Sequence, residues 1–264
     1  MSADAGFARP GPSAPGPVAA PAPVVRRVLA QARFESAILL RNGEQLLVSL
    51  VLPALAMIGL TKASVPDLGP GPRIDIVVPG VLALAVISSA FTGQAIQTGF
   101  DRRYGVLRML GTTPLGRGGL LAGKAVGVLA VLGVQVVVLS GLGLLLGWAP
   151  QWSGVPAAVL VGLVGTAAFV SLALLVAGTL RAEAVLAVAN LVWLLLVAGG
   201  AVLVPASTLP AGVEHLARWL PSGALGEGLR AALLDGDLDV RALLVLGGWA
   251  LVGGTAARRL FRWS

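Results

Sequence analysis

The sequence predicts an all-α integral membrane protein with six transmembrane helices, an N-terminal interfacial helix and two short outer or re-entrant helices before the last span. Two observations predict it. Of 264 residues, 56% are hydrophobic and only 12% charged, about half the roughly 25% charge of a soluble domain. The apolar residues also gather in six runs, 45–62, 75–98, 120–148, 155–179, 184–204 and 240–257, each near the roughly 17–25 residues that a bilayer-spanning helix needs.

The formal charge is +7, but its basic residues flank apolar runs rather than forming a patch interleaved with aromatics, which argues against nucleic acid as a partner. With the N-terminus inside, fourteen of the nineteen Lys and Arg fall in inner segments; Lys62, Arg73, Arg218, Arg230 and Arg241 fall outside. That bias is what the positive-inside rule requires of short loops. It predicts a multi-pass protein of a cell membrane, bacterial in character, with both termini cytoplasmic. There is no Cys, so neither disulfides nor thiolate metal sites arise.

Residues 1–23 are rich in Pro, Ala and Gly, too poor in large apolar side chains to offset the entropy of ordering; they predict a disordered tail without the apolar core of an export signal. The remainder, 24–264, reads as one permease-sized membrane domain. In 24–41, Arg26, Arg33 and Arg41 lie near one helical face, opposite Val25, Val28, Leu29, Ala32 and Leu39, with Glu35 falling near the apolar side. This pattern predicts a helix lying on the membrane surface, its Arg directed at anionic headgroups; the alternative is a water-exposed extension of the first span.

Pro53 inside the first run is tolerable where neighbouring helices satisfy the carbonyl it frees. The second run has no formal charge between Ile76 and Thr98 but carries Ser88, Ser89, Thr92, Gln94 and Gln97 toward its inner end. Against lipid such groups are costly, so they face other helices, as packing contacts or as a pathway. Ser89, Thr92, Gln94, Gln97, Gln135 of the third run and Asn190 of the fifth are the candidate pathway residues. The third run also has Gly123 and Gly127, then Gly143 and Gly147, at the four-residue spacing that lets helix backbones approach closely, in packing or in subunit association. Residues 180–183 are too short for anything but an inner hairpin turn.

Segment 205–239 is the largest outer stretch. Val213, Leu216, Ala217 and Leu220 form one apolar stripe and Leu225, Leu229 and Leu233 another, with Pro221 between them and Ser222 as a candidate cap. Neither piece can cross a bilayer.

Familiar chemical motifs fail on inspection. Gly118 to Ala125 nearly spells a phosphate-binding loop, but Ala125 stands where Ser or Thr must hold magnesium, and the run enters a membrane helix. Asp235, Asp237 and Asp239 alternate as in a calcium loop, yet Val240 and Leu246 replace the required Gly and Glu. His215 is the only histidine. No catalytic grouping and no intramembrane carboxylate pair appears, so neither catalysis nor bound cofactor or metal is expected of this chain.

The remaining signal is the basic, Gly- and Pro-punctuated loop 100–119 and its continuation to Lys124. Its residues Asp101, Arg102, Arg103, Tyr104, Gly105, Val106, Leu107, Arg108, Met109 and Leu110, then Thr113, Pro114 and Leu115, then Ala122, Gly123 and Lys124, resemble the signature loop of type-2 ATP-binding-cassette (ABC) exporter permeases. Leu209-Pro210, Leu220-Pro221 and Glu227-Gly228-Leu229-Arg230 resemble that family's outer segment before its last span. Asp101 stands where the family more usually has Glu, and the chain carries no nucleotide-binding domain, like half-size members whose ATPase is a separate polypeptide.

The resemblance implies a six-helix exporter permease that pairs with a second copy or a paralogue and works with a cytoplasmic ABC ATPase that holds ATP and Mg. It further implies that Asp101, Arg102, Arg103, Tyr104, Gly105, Leu107, Arg108, Leu110, Thr113 and Pro114 form the coupling segment that docks on that ATPase. Asp101–Leu110 is expected to be one short helix with Tyr104, Leu107 and Leu110 on one side. The nearly charge-free spans imply an apolar or amphipathic cargo, drug-like or lipid. The alternatives are a loop serving topology alone and, for the chain, a non-transporting membrane scaffold or assembly factor.

Overall fold

The computed structural model describes residues 22–41, 43–64, 68, 71–111 and 115–261; most of the expected N-terminal tail, and Thr113 and Pro114, lie outside them. Eleven α-helices run in order among these residues, with no strand: α1 Val24–Arg41, α2 Gly43–Lys62, α3 Arg73–Val86, α4 Gln94–Arg103, α5 Val106–Gly111, α6 Gly116–Leu145, α7 Val155–Thr179, α8 Ala182–Gly199, α9 Ala211–Trp219, α10 Pro221–Arg230 and α11 Val240–Leu260. A π-helical turn, Ile87–Gly93, joins α3 to α4 without interruption.

Among the described residues, five helices are long and apolar enough to cross a membrane: Arg73–Arg103, Gly118–Leu145, Trp152–Thr179, Ala182–Gly199 and Val240–Leu260. The first expected span is helical as α2, Gly43–Lys62; its described apolar stretch, Ser49–Lys62, is shorter than those five. The helix from α3 to α4 is the axis of the fold. Its 31 residues extend about 46 Å at 1.5 Å per residue, and nearly every residue of α3 is buried. α2, α6, α7, α8 and α10 all pack around this axis, while α11 lies along α7.

The fifth run was expected to continue to 204, but α8 ends at Gly199. Ala201 then turns the chain with φ +53°, a left-handed conformation that a side chain with a Cβ adopts at a cost. The segment is held there from outside itself. The guanidinium of Arg230, buried in α10, donates to the carbonyls of Ala201 (3.1 Å) and Val202 and to Glu227 Oε1 (2.9 Å), and Glu227 Oε1 also accepts from the Ala206 amide (2.9 Å).

The two outer helices differ. α9 leaves Val213, Leu216, His215 and Trp219 exposed, whereas α10 is buried almost throughout against α3, α7 and α11. Ser222 does not cap α10: that helix begins at Pro221, its N-cap is Leu220, and the Ser222 hydroxyl is fully buried. A side chain does cap α11, where Asp239 Oδ1 accepts from the Ala242 amide at 3.0 Å. The acidic run 235–239 therefore includes a helix cap.

Candidate coupling junction and cavity

The end of α4 does not run on into a single helix through Leu110. The chain breaks at Tyr104 and Gly105, where Gly105 takes φ +74°, a conformation open to Gly and strained for other residues. α5 then starts in a new direction. The break separates side chains that a continuous helix would align. Leu107 is buried, 1% exposed, while Tyr104 is 72% and Met109 65% exposed; the side chain of Leu110 lies outside the described residues. Tyr104 stacks on Phe100 with ring centroids 6.1 Å apart, and the Arg103 guanidinium lies 6.0 Å from the Tyr104 ring. Arg108 is exposed beside Met109. The outward face of the turn is thus an aromatic, a thioether and a cation.

The other basic residues of the expected coupling segment are tied to the neighbouring helix turn, Arg102 half-buried and Arg103 in an exposed ion pair. Arg102 donates to the Leu180 carbonyl and Arg103 pairs with Glu183, so the end of α4 is tied to the turn between α7 and α8. The C-terminal end of α11 reaches the same end of the bundle, where Phe261 lies against Gly178 of α7.

Asp101 faces the third neighbour. Its Oδ2 accepts from Lys124 Nζ at 2.6 Å, and the same ammonium lies 3.1 Å from Glu35 Oε1 and 3.3 Å from Oε2. Lys124 stands eight residues into α6, about 12 Å along it, with its side chain 1% exposed. A charge so placed is tolerable only when paired and hydrogen-bonded. Gln31 Nε2 donates to Glu35 Oε1 and Gln97 Nε2 to Glu35 Oε2, both at 2.9 Å, so both oxygens of the buried carboxylate are satisfied.

Backbone shape makes the cluster possible. α1 lies on α6 along Gly119, Gly123 and Gly127; a Cβ on Gly123 would fall 2.5 Å from Gln31 Cγ, and one on Gly127 2.9 Å from Glu35 Cβ. The first small-residue pair of α6 therefore receives α1. The face of α1 toward α6 is not the expected apolar stripe: Val28, Gln31, Ala32 and Glu35 lie on α6, while Val25 and Leu29 are exposed, because the carboxylate follows its partner Lys124 into the contact.

Above this junction lies a cavity of about 550 Å³, between α2, the π-helical turn with α4, α6 and α8. That is within the usual range for small-molecule sites, roughly 300–1,000 Å³. Ser88, Ser89, Thr92, Gln94, Gln97 and Asn190 line it together with Trp193 and aliphatic side chains, and among the described residues no Lys, Arg, Asp or Glu does. π-helical turns disturb the backbone ladder and recur at functional sites; here the turn places Ser88, Ser89 and Thr92 on the cavity wall.

Of the six expected pathway residues, five line the cavity: Ser89, Thr92, Gln94, Gln97 and Asn190. Gln135 does not. It is fully buried, accepts from Ser89 at 2.9 Å and donates to the Ser49 carbonyl at 3.4 Å, joining α6 to the π-helical turn and to α2. Asn190 donates to the Leu186 carbonyl of its own helix (3.0 Å), Gln94 to Thr98 (2.9 Å), and Trp193 to Ser88 (3.0 Å). Glu35 and Arg230 were not among the expected site residues. Glu35 carried a signal, a charge on the apolar side of α1; for Arg230 the signal was the opposite charge of Glu227 at helical spacing on the same face.

A family model described as ABC-2 family transporter protein matches residues 73–258, from the first residue of α3 to the last turn of α11. No curated protein matches the chain. The match covers well over half of the sequence and takes in the broken α4–α5 turn, Lys124 and the buried helix α10: the chain belongs to the ABC-2 family of transporter proteins.

Proposed function

We propose that the chain is the permease subunit of an ABC exporter, moving an apolar or amphipathic, uncharged molecule, drug-like or lipid, out of the cytoplasm. ATP is bound with Mg and hydrolysed by a separate ABC ATPase that docks on the α4–α5 turn. α2 serves as the sixth span, both termini are cytoplasmic in a bacterial cell membrane, and two copies or paralogues pair to enclose the path. α1 rests on the inner membrane surface.

The observation that carries this reading is the turn itself. Tyr104, Arg108 and Met109 stand exposed at the end of the bundle where Arg102 and Arg103 also lie, held by the buried contacts of Asp101 and Leu107. An apolar knob with a cation beside it suits a partner groove with acidic walls, where charge sets orientation and the apolar contact supplies affinity. The cavity supports the choice of cargo. Its wall is largely aliphatic with a row of neutral hydroxyls and amides, and a charged cargo would need compensating groups there.

The test is co-purification of the tagged permease from its native membranes, with the bound proteins searched for an ABC ATPase. The complex is expected to survive with wild-type permease. With Tyr104→Ala combined with Met109→Ala it is expected to weaken at least about tenfold, since loss of a buried aromatic anchor costs roughly 2 kcal/mol or more. Asp101 and Arg102 are poor choices for this test because both make internal contacts. Absence of an associated ATPase, or an unchanged complex with the double variant, would leave the chain as a membrane scaffold.

A further inference from the structure

The cavity and the docking turn are joined by one continuous chain of polar contacts, buried at Glu35 and Lys124 and half-buried at Gln97 and Asp101. Gln97 lines the cavity and donates to Glu35 Oε2 at 2.9 Å. Glu35 meets Lys124 at 3.1 Å, Lys124 meets Asp101 at 2.6 Å, and Asp101 stands one helical turn before the break at Tyr104 and Gly105. The links come from α1, α4 and α6, so the route does not simply follow one helix.

We infer that Gln97, Glu35, Lys124 and Asp101 form a relay that transmits the nucleotide state of the docked ATPase to the wall of the cavity, with Lys124 as its hub. The inference rests on the proposed docking at Tyr104 and adds to it. A displacement of the turn moves Asp101, and the ammonium of Lys124 cannot follow it without leaving Glu35. In a buried site either separation exposes an uncompensated charge, so the cluster favours discrete arrangements over gradual ones. Glu35 is the only member on α1, and α1 is seated on the glycine stripe of α6. A change at Lys124 therefore reaches Gln97 through Glu35, and alters the cavity wall where Gln97 stands. Glu35 and Lys124 act as positioning residues; neither lines the cavity.

The natural absence of Cys permits a test that needs no knowledge of the cargo. Thr92→Cys places a single thiol on the cavity wall, and its labelling rate with N-ethylmaleimide is measured in the full permease–ATPase complex, without nucleotide and after trapping with ATP and vanadate. In that background the two rates are expected to differ by about tenfold, a usual size for coupling between two sites. Adding Glu35→Gln, which keeps shape and leaves Lys124 its contact with Asp101, is expected to bring the two rates to within about twofold while the ATPase stays bound. Gln97→Leu, which cuts the chain at its cavity end, is expected to do the same. A full nucleotide effect in both variants would overturn the relay. If the ATPase fails to bind the Thr92→Cys permease and wild type alike, the proposed function falls first, and that result is read before any relay variant is made.

Discussion

At Lys124 a single side chain serves two carboxylates from two other helices, and the energetic weight of the junction falls on it. Removing one partner of a buried ion pair leaves uncompensated charge and costs roughly 3–5 kcal/mol, so Lys124→Met, which strands both Glu35 and Asp101, is expected to lower thermal stability in detergent by that order. Glu35→Gln is expected to cost clearly less, because the ammonium keeps its 2.6 Å contact with Asp101. Equal losses in the two variants would show that the cluster is not organised around the lysine. Arg230 is the corresponding residue at the opposite end of the bundle. Arg230→Met withdraws donors from the carbonyls of Ala201 and Val202, at about 1–3 kcal/mol for each buried group left unsatisfied. The expected result is a lowered midpoint of thermal unfolding, and an unchanged midpoint would mean that the turn after α8 holds itself.

At the scale of elements, the sequence was informative wherever one periodicity dominated and less so where two elements had to meet. The bounds of α1 and α7 follow directly from hydrophobic pattern, and the run around Asp101 carries a family signature over consecutive residues. The break at Gly105 was harder to foresee, because a glycine between helix formers is compatible with a continued helix until packing of Leu107 demands the turn. Glu35 reads as a flaw in an amphipathic helix, since its distant partners lie 62 and 89 residues away in sequence, at Gln97 and Lys124. The pairing of Gly123 with Gly127 was legible as a close approach, but not which helix would approach. Because it receives α1, Gly123→Leu is expected to dislodge that helix. The check is a Glu35→Cys thiol, buried in the wild-type arrangement, which should react rapidly with a maleimide once Gly123 is replaced. Slow labelling in both backgrounds would argue that α1 is held by its flanks instead.

On the scale of the molecule, polar work is divided between the two ends of an apolar bundle. One end gathers the α4–α5 turn, the α7–α8 turn, the end of α11 and the junction of α1 with α6, with Arg102, Arg103, Arg108, Arg258 and Arg259 nearby in the chain. The other end holds α9, α10 and the Arg230 contacts. The cavity lies between these ends, bounded inward by Gln94 and Gln97 and reaching Val197 and Leu203 near the unwound end of α8. Under the proposed function, the partner acts on the first of these ends and alters access at the other, as a permease driven from the cytoplasm requires. The most direct test exploits the cysteine-free sequence. Tyr104→Cys and Leu216→Cys place single thiols at exposed positions on opposite ends of the bundle, and each is treated with a short heterobifunctional maleimide cross-linker in membranes containing the partner ATPase. Docking on the α4–α5 turn predicts an adduct between permease and ATPase from position 104 and none from position 216. An adduct from 216 alone, or from neither position while the ATPase is present, would contradict that docking.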